Sequence, residues 1–335
     1  MIFMINSIKL LLLSAAVTLI SCGEGRKVKT TDKDTQSSEA NVFVPEFNRD
    51  SAYAYIEKQV AFGPRVPNTQ AHKACSDWLS ATLQRFTSHV TVQQARLKAS
   101  DGTMLDARNI IASFNPENSS RILLCAHWDS RPWADHDPDP ANRRKPVPGA
   151  NDGASGVGVL LEIARQMSTH NPNIGVDIVL FDAEDYGEHQ DLQGSADHSW
   201  ALGSQHWARN PHTPGYSARF GILLDMVGAA NPAFTMEGTS MYYAPGIMRK
   251  VWNVAHSLGY QNYFLNRKTG PITDDHLYVN EILRIPTIDI IDYDPDREKG
   301  FFDQWHTVND DMSIISKETI YAVGRTVLTV VYTTE

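Results

Sequence analysis

Cysteine is scarce in this chain, with three residues among 335, so a disulfide framework is excluded. Basic charge is also in the minority. Thirty Lys and Arg stand against 39 Asp and Glu, a formal net charge of −9, which argues against a nucleic-acid binder working through a broad basic surface. No internal repeat is visible. The apolar run Leu10–Ile20 is too short to span a bilayer. What is present is ordinary for a globular protein: 42% hydrophobic and 21% charged residues, close to the average for folded domains. The length allows one large domain or two modest ones.

The first residues read as an address. A single charge, Lys9, precedes Leu10–Ile20, which has the length of a signal-peptide core. The run ends in Leu19-Ile20-Ser21-Cys22, a string that resembles a bacterial lipobox. Residues 1–21 are therefore expected to be a lipoprotein signal peptide. Cys22 is expected to be the lipid anchor, holding the chain in the bacterial cell envelope and facing the periplasm or the cell surface. The alternative is an ordinary cleaved signal with an incidental cysteine. Residues 22–45 are expected to be a flexible tether, because Glu24 to Ala40 holds one sizeable apolar residue, Val28, and cannot bury enough surface to offset chain entropy.

Residues 46–335 read as one α/β domain with a central mixed, mostly parallel sheet flanked by helices. The expected strands are Val90–Leu97, Ala107–Phe114, Arg121–Cys125, Val176–Phe181, Arg219–Met226 and Thr287–Ile291. Three of them are near-continuous apolar runs suited to central strands covered on both faces. Helical spacing of apolar residues predicts helices over Thr69–Leu83, Gly153–Ser168, Pro245–Leu258 and Ser316–Tyr332. Two stretches fit neither pattern, Ser130–Pro148 and Tyr186–Ser199. The first, with acids from Asp135 to Asp139, is expected to be a solvated loop.

Chemistry-bearing residues follow the strands in order. His127 and Asp129 come after one, Glu184 and Asp185 after the next, and Asp225 ends a third; Asp152 opens a glycine-rich helix and His306 comes late. Ligands in open α/β sheets sit beyond the carboxyl ends of the strands. A lone Asp there is usually a cap or a loop hydrogen-bonder, and Asp152 could cap its helix. The repetition of such groups along one rim points instead to a metal site. Two His with carboxylates and no Cys suit zinc in an open, catalytic site, with a neighbouring carboxylate as proton shuttle.

The strings His127-Trp128-Asp129-Ser130, Gly149-Ala150-Asn151-Asp152-Gly153-Ala154-Ser155-Gly156, Phe181-Asp182-Ala183-Glu184-Asp185 and His306-Thr307 with Asp310 resemble the M28 zinc aminopeptidase superfamily. Phe62-Gly63-Pro64-Arg65-Val66-Pro67, Leu224 to Ala229 with Asn231-Pro232, Asp274-Asp275-His276 and Trp305-His306 are similar to the glutaminyl cyclases within it. The resemblance runs from about residue 50 to the C-terminus. It implies a zinc-dependent acyltransferase that converts N-terminal Gln of peptides and proteins to pyroglutamate, releasing ammonia, with one Zn2+ per chain.

By position, the resemblance makes Asp152, Asp185 and His306 the zinc ligands and Glu184 the proton shuttle. Asp225 and Asp274 match acids that hold the substrate amine. Trp305 matches an aromatic pocket wall, and Asp275 is expected in substrate binding beside Asp274. The chain departs from the pattern in several places. Asp185 stands where the cyclases usually have Glu, Gln190 where animal cyclases have an indole, and Asp289 where they have a histidine. Trp200 is the candidate replacement for the missing indole, while Trp133 and Trp207 are expected to be packing residues. The paired cysteines of animal cyclases are not both present, so Cys75 and Cys125 are expected to be buried thiols.

The rival reading is an M28-type zinc aminopeptidase, because His127 and Asp225 match the additional ligands of a two-metal site. A surface-anchored binding lipoprotein with an inactive fold is disfavoured, since every expected zinc position and the shuttle keep competent side chains. Beyond substrate and a membrane reached through Cys22, no partner is expected; no nucleic acid is bound and the domain is monomeric by default.

Overall fold

Strand β3 (Arg121–His127) follows two others, β1 (Val90–Lys98) and β2 (Met104–Phe114), and is succeeded by β4 (Gly175–Phe181), β5 (Gly221–Asp225), β6 (Phe234–Met236), β7 (Phe264–Lys268) and β8 (Thr287–Ile291). The computed structural model describes residues 42–192 and 198–335. The expected signal peptide, Cys22 and nearly all of the tether lie outside the described residues, as does part of Tyr186–Ser199. Val42–Glu335 forms one compact unit.

Six strands form one sheet in the order β1-β2-β4-β3-β5-β8. Strands β4, β3, β5 and β8 run parallel, and β2 and β1 are added antiparallel at one edge. This is the expected α/β fold with a mixed, mostly parallel sheet. All residues of β3, β4, β5 and β8 are buried. The two faces of β3 are split by the strand period: Ile122, Leu124 and Ala126 join the larger core cluster, while Leu123 and Cys125 join a second one around Trp207 and Phe181. Helices cover both faces. Helices α1 (Arg49–Val60), α2 (Gln70–Gln84) and α3 (Ala154–Thr169) contribute to the larger cluster, as do α6 (Pro245–Ser257) and α8 (Lys317–Thr333). Helix α4 (Leu202–Arg209) brings Trp207 to the other face. Short α5 (Gly238–Tyr243) and α7 (Asp275–Tyr278) lie between these elements in sequence. Among the described residues, no helix is long and apolar enough to cross a membrane.

The structure extends and corrects the sequence reading at several points. Strand β2 begins at Met104 rather than Ala107, because Lys98 pairs with Met104 across a tight connection. Helices α1, α4, α5 and α7 and the pair β6 and β7 lie outside the expected elements. Ser130–Pro148 is not a solvated loop throughout. Arg131, Asp135 and Asp137 are buried, and the Arg131 guanidinium donates to both Asp135 oxygens at 2.7 and 2.6 Å. Paired in this way, charges can leave water.

Candidate active site

Strand register brings His127 and Asp225 together at the rim. His127 is level with Phe181 across β3 and β4, and Cys125 with Leu223 across β3 and β5, which puts His127 beside Asp225 two residues further on. Asp152 reaches the same rim through the turn before α3. That turn requires glycine, since a Cβ on Gly153 would lie 2.5 Å from the His127 ring, and so does the first turn of α3, where a Cβ on Gly156 would lie 2.2 Å from the Leu224 carbonyl oxygen. Asp274 caps α7, and His306 sits in a left-handed backbone conformation in the last loop.

The donors converge. His306 Nε2 lies 3.2 Å from Asp185 Oδ1 and 3.6 Å from Asp152 Oδ2. His127 Nε2 lies 3.0 Å from Asp152 Oδ1 and 3.1 Å from Asp225 Oδ1. Ligand atoms of Asp152, Asp185 and His306 fall within 4.8 Å of one another, as do those of His127, Asp152 and Asp225. Two further groups meet the same limit among the described residues: Asp274 with His276 and Asp289, and Asp135 with His136 and His306.

The electrostatics show what the first group can hold. Burial pushes the Asp185 carboxyl well above the usual range, and the charge of Asp152 adds to it. Burial likewise raises Glu184, against the pull of His127 and with Asp274 and Asp185 adding their repulsion. It raises Asp225 to about 7. Burial, reinforced by Arg131, pushes His306 well below the ordinary imidazole range, so its ring is neutral and its lone pair is free to ligate. Burial opposes a charge on His127, yet hydrogen bonds to Asp129, Asp152 and Asp225 hold its pKa well above normal. Asp185 Oδ2 is buried and has no hydrogen-bond partner among the described residues. An excess of buried carboxylate around a neutral imidazole, with an orphaned oxygen, is a donor set that fits a divalent cation.

A cavity of about 210 Å3 opens beside these groups. Asp152, Glu184, Asp185, Asp225, Asp274 and His306 line it, with Trp200, Trp305, Phe301, Ile272, Ile291 and Met226 as walls and Thr273 beside Asp274. The Trp305 ring stacks on His306 at a centroid distance of 3.7 Å. All the expected site residues of the domain line this cavity except Asp275 and His127, and the Asp275 side chain is fully buried. His127 stands behind Asp152 and Asp225 and also stays out of the cavity. Trp207 is core, and Cys75 and Cys125 are free, buried thiols. Sequence reading missed Phe301, Ile272 and Met226 as walls, since isolated apolar residues in loops carry no local signal.

The model of Peptidase family M28 matches residues 109–331. A Zn-dependent exopeptidase from Parabacteroides distasonis is 57% identical with a TM-score of 0.86, the match covering 87% of this chain and 100% of that one. A glutaminyl cyclase from Tannerella forsythia is 57% identical with a TM-score of 0.85, over the same 87% and 100%. Among curated relatives, aminopeptidase YwaD of Bacillus subtilis is 26% identical over 279 residues, 80% of this chain, and the chain spans 54% of its length.

Proposed function

The chain belongs to peptidase family M28, and from that premise we propose that it is a glutaminyl-peptide cyclotransferase, closing N-terminal Gln of peptides and proteins to pyroglutamate. The observation that carries this reading is the small cavity walled by Trp200 and Trp305. At about 210 Å3 it is below the roughly 300 Å3 at which drug-sized pockets begin, and suits one side chain. The rings of Trp200 and Trp305 both lie near-parallel to that of His306, within 9° and 22°, which favours a flat group such as a carboxamide.

Asp152, Asp185 and His306 would hold a zinc ion. When bound, zinc supplies Lewis-acid polarisation of the γ-amide carbonyl. Asp225 and Asp274 hold and orient the substrate's α-amine. In the reaction the amine nitrogen bonds to the side-chain amide carbon and the bond from that carbon to the amide nitrogen breaks. Glu184, with its pKa raised by burial, takes the proton lost by the attacking nitrogen and delivers it to the departing one, which leaves as ammonia. The aromatic walls exclude water that would compete with the amine. Lipid anchoring at Cys22 in the bacterial envelope belongs to the same proposal, resting on the lipobox-like string.

A second reading, a zinc aminopeptidase, is favoured by the approach of His127, Asp152 and Asp225. The zinc-loaded protein incubated with a Gln-initiated and a Leu-initiated peptide separates the two. Loss of one ammonia from the Gln peptide, with the Leu peptide intact, is expected. Release of the first residue from the Leu peptide would establish the aminopeptidase instead.

A further inference from the structure

Two carboxylates outside the cavity grip the backbone of the rim in the same way. Asp310 Oδ1 accepts the Asn151 N–H at 2.8 Å, and its Oδ2 accepts the Asp152 N–H at 3.1 Å. Asp129 Oδ1 accepts the Glu184 N–H at 3.1 Å, and its Oδ2 accepts the Asp185 N–H at 3.2 Å. Both side chains are fully buried. In each case the two oxygens of one carboxylate take two successive amides, and three of the four amides belong to acids of the site, Asp152, Glu184 and Asp185.

Such a grip fixes direction. A buried carboxyl group that accepts two consecutive N–H groups, one on each oxygen, sets the orientation of the peptide planes. The Cα–Cβ bonds that leave those planes are set with them. Aspartate has a short side chain with little freedom to correct a misdirected Cα–Cβ bond, so Asp152 and Asp185 depend on this more than a longer acid would. The grips also join segments remote in sequence. Asp310 lies four residues after His306, and its carbonyl accepts the Ala150 N–H at 3.1 Å, bolting the His306 loop to the Asp152 turn. Asn151 continues the relay: its Oδ1 accepts the Gly228 and Ala229 N–H groups at 2.7 and 3.0 Å, which ties in the turn after Asp225. Asp129 bolts the segment after β3 to the segment after β4.

We infer that Asp310 and Asp129 are positioning residues, setting the separation of Asp152, Asp185 and His306 for a cation and the placement of Glu184 beside it. The inference rests on the metal reading of the preceding section. A residue that merely stabilised the fold would weaken the metal-free and metal-bound protein alike. A positioning residue weakens metal binding selectively.

The experiment measures zinc affinity by competition with a chromophoric chelator for the whole chain and for Asp310→Asn and Asp129→Asn, together with the Tm of each metal-free protein. Each amide replaces one acceptor oxygen by an NH2 group facing an N–H. The expected result is zinc binding weakened about 10- to 100-fold, the range typical of outer-shell partners. The metal-free Tm should change far less than the zinc-bound Tm, and turnover lost at limiting zinc should return when zinc is in excess. Unchanged zinc affinity with a lowered metal-free Tm overturns the inference and makes both residues structural. Failure of the unaltered chain to bind zinc removes the metal reading itself. If neither variant folds, amide exchange in the unaltered, metal-free protein decides: slow exchange at Asn151, Asp152, Glu184 and Asp185 is expected, and fast exchange there overturns the grip.

Discussion

The indole of Trp200 lies nearly parallel to the imidazole of His306, with planes 9° apart and centroids 6.0 Å apart, while the Arg131 guanidinium carbon stands 4.6 Å from the Trp200 ring centroid. Arg131 is itself buried between Asp135 and the carbonyls of Asp185 and Glu188. The ring is thus held by a fixed cation and serves as a rigid wall.

Trp200→Ala should therefore act on substrate binding. An aromatic contact contributes about 0.5–1.5 kcal/mol beyond burial, so a rise in KM of about 2- to 10-fold is expected, with zinc affinity unchanged. Steady-state kinetics on a Gln-initiated peptide measure it, and an unchanged KM would take Trp200 out of the pocket wall.

Glu184→Gln keeps the shape of the side chain and removes the carboxyl group that takes and gives the proton. Turnover should fall by about 10^2- to 10^4-fold, the usual contribution of a placed acid or base, while the zinc content by elemental analysis stays the same. Full activity in this variant would exclude Glu184 from proton transfer.

Asp185→Asn leaves one carboxylate and a neutral imidazole in the cluster around His306. Zinc affinity should drop by more than the roughly 100-fold seen at most for an outer-shell loss, read by the same chelator competition. Metal retained at the original affinity would show that the ion is held by His127, Asp152 and Asp225 instead.

Stability should depend on pH differently with and without metal. Glu184, Asp185 and Asp225 have folded pKa values above their unfolded ones. Their contribution is present below about pH 4 and is lost as pH rises through the folded values, which for Asp225 is about 7. His306, depressed by burial, contributes above the unfolded imidazole value of about 6.5 and loses that contribution on acidification. From about pH 6.5 upward the carboxyl contribution governs, so the metal-free Tm should fall. Zinc replaces the displaced protons, and the Tm increment on adding it should grow with pH. Calorimetry at three pH values checks this; an increment that shrinks would contradict it.

Thiol chemistry gives a separate check. Burial pushes Cys75 up to about 12 and Cys125 well above its usual range, and neither is bridged. A chain beginning after Cys22 should not react with a thiol reagent while folded, and two thiols should react on denaturation.

The central strands were legible because their signal is local. Ile122 to Cys125, Val176 to Phe181 and Thr287 to Ile291 are short apolar runs, and a strand buried on both faces needs no more than that. The three-residue β6 was not legible, since it is a strand only through pairing with β7 some thirty residues away. Helix α1 also escaped: Ala52 and Ile56 are its only buried apolar residues, too few to define a stripe. The same division runs through the site. Asp152, Glu184, Asp185, Asp225, Asp274 and His306 stand at strand ends or in motif strings and could be named one by one. The buried Asp135 and Asp137, the walls Phe301 and Ile272, and the grip of Asp310 on Asn151 and Asp152 could not. By itself, the sequence determined which chemical groups are available and which strand edge presents them, because both follow from residue type and a period of two or 3.6. The tertiary structure alone decided which acids share a space, how far burial moves their protons and where Trp200 stands, because these depend on contacts between segments as much as 171 residues apart around the site.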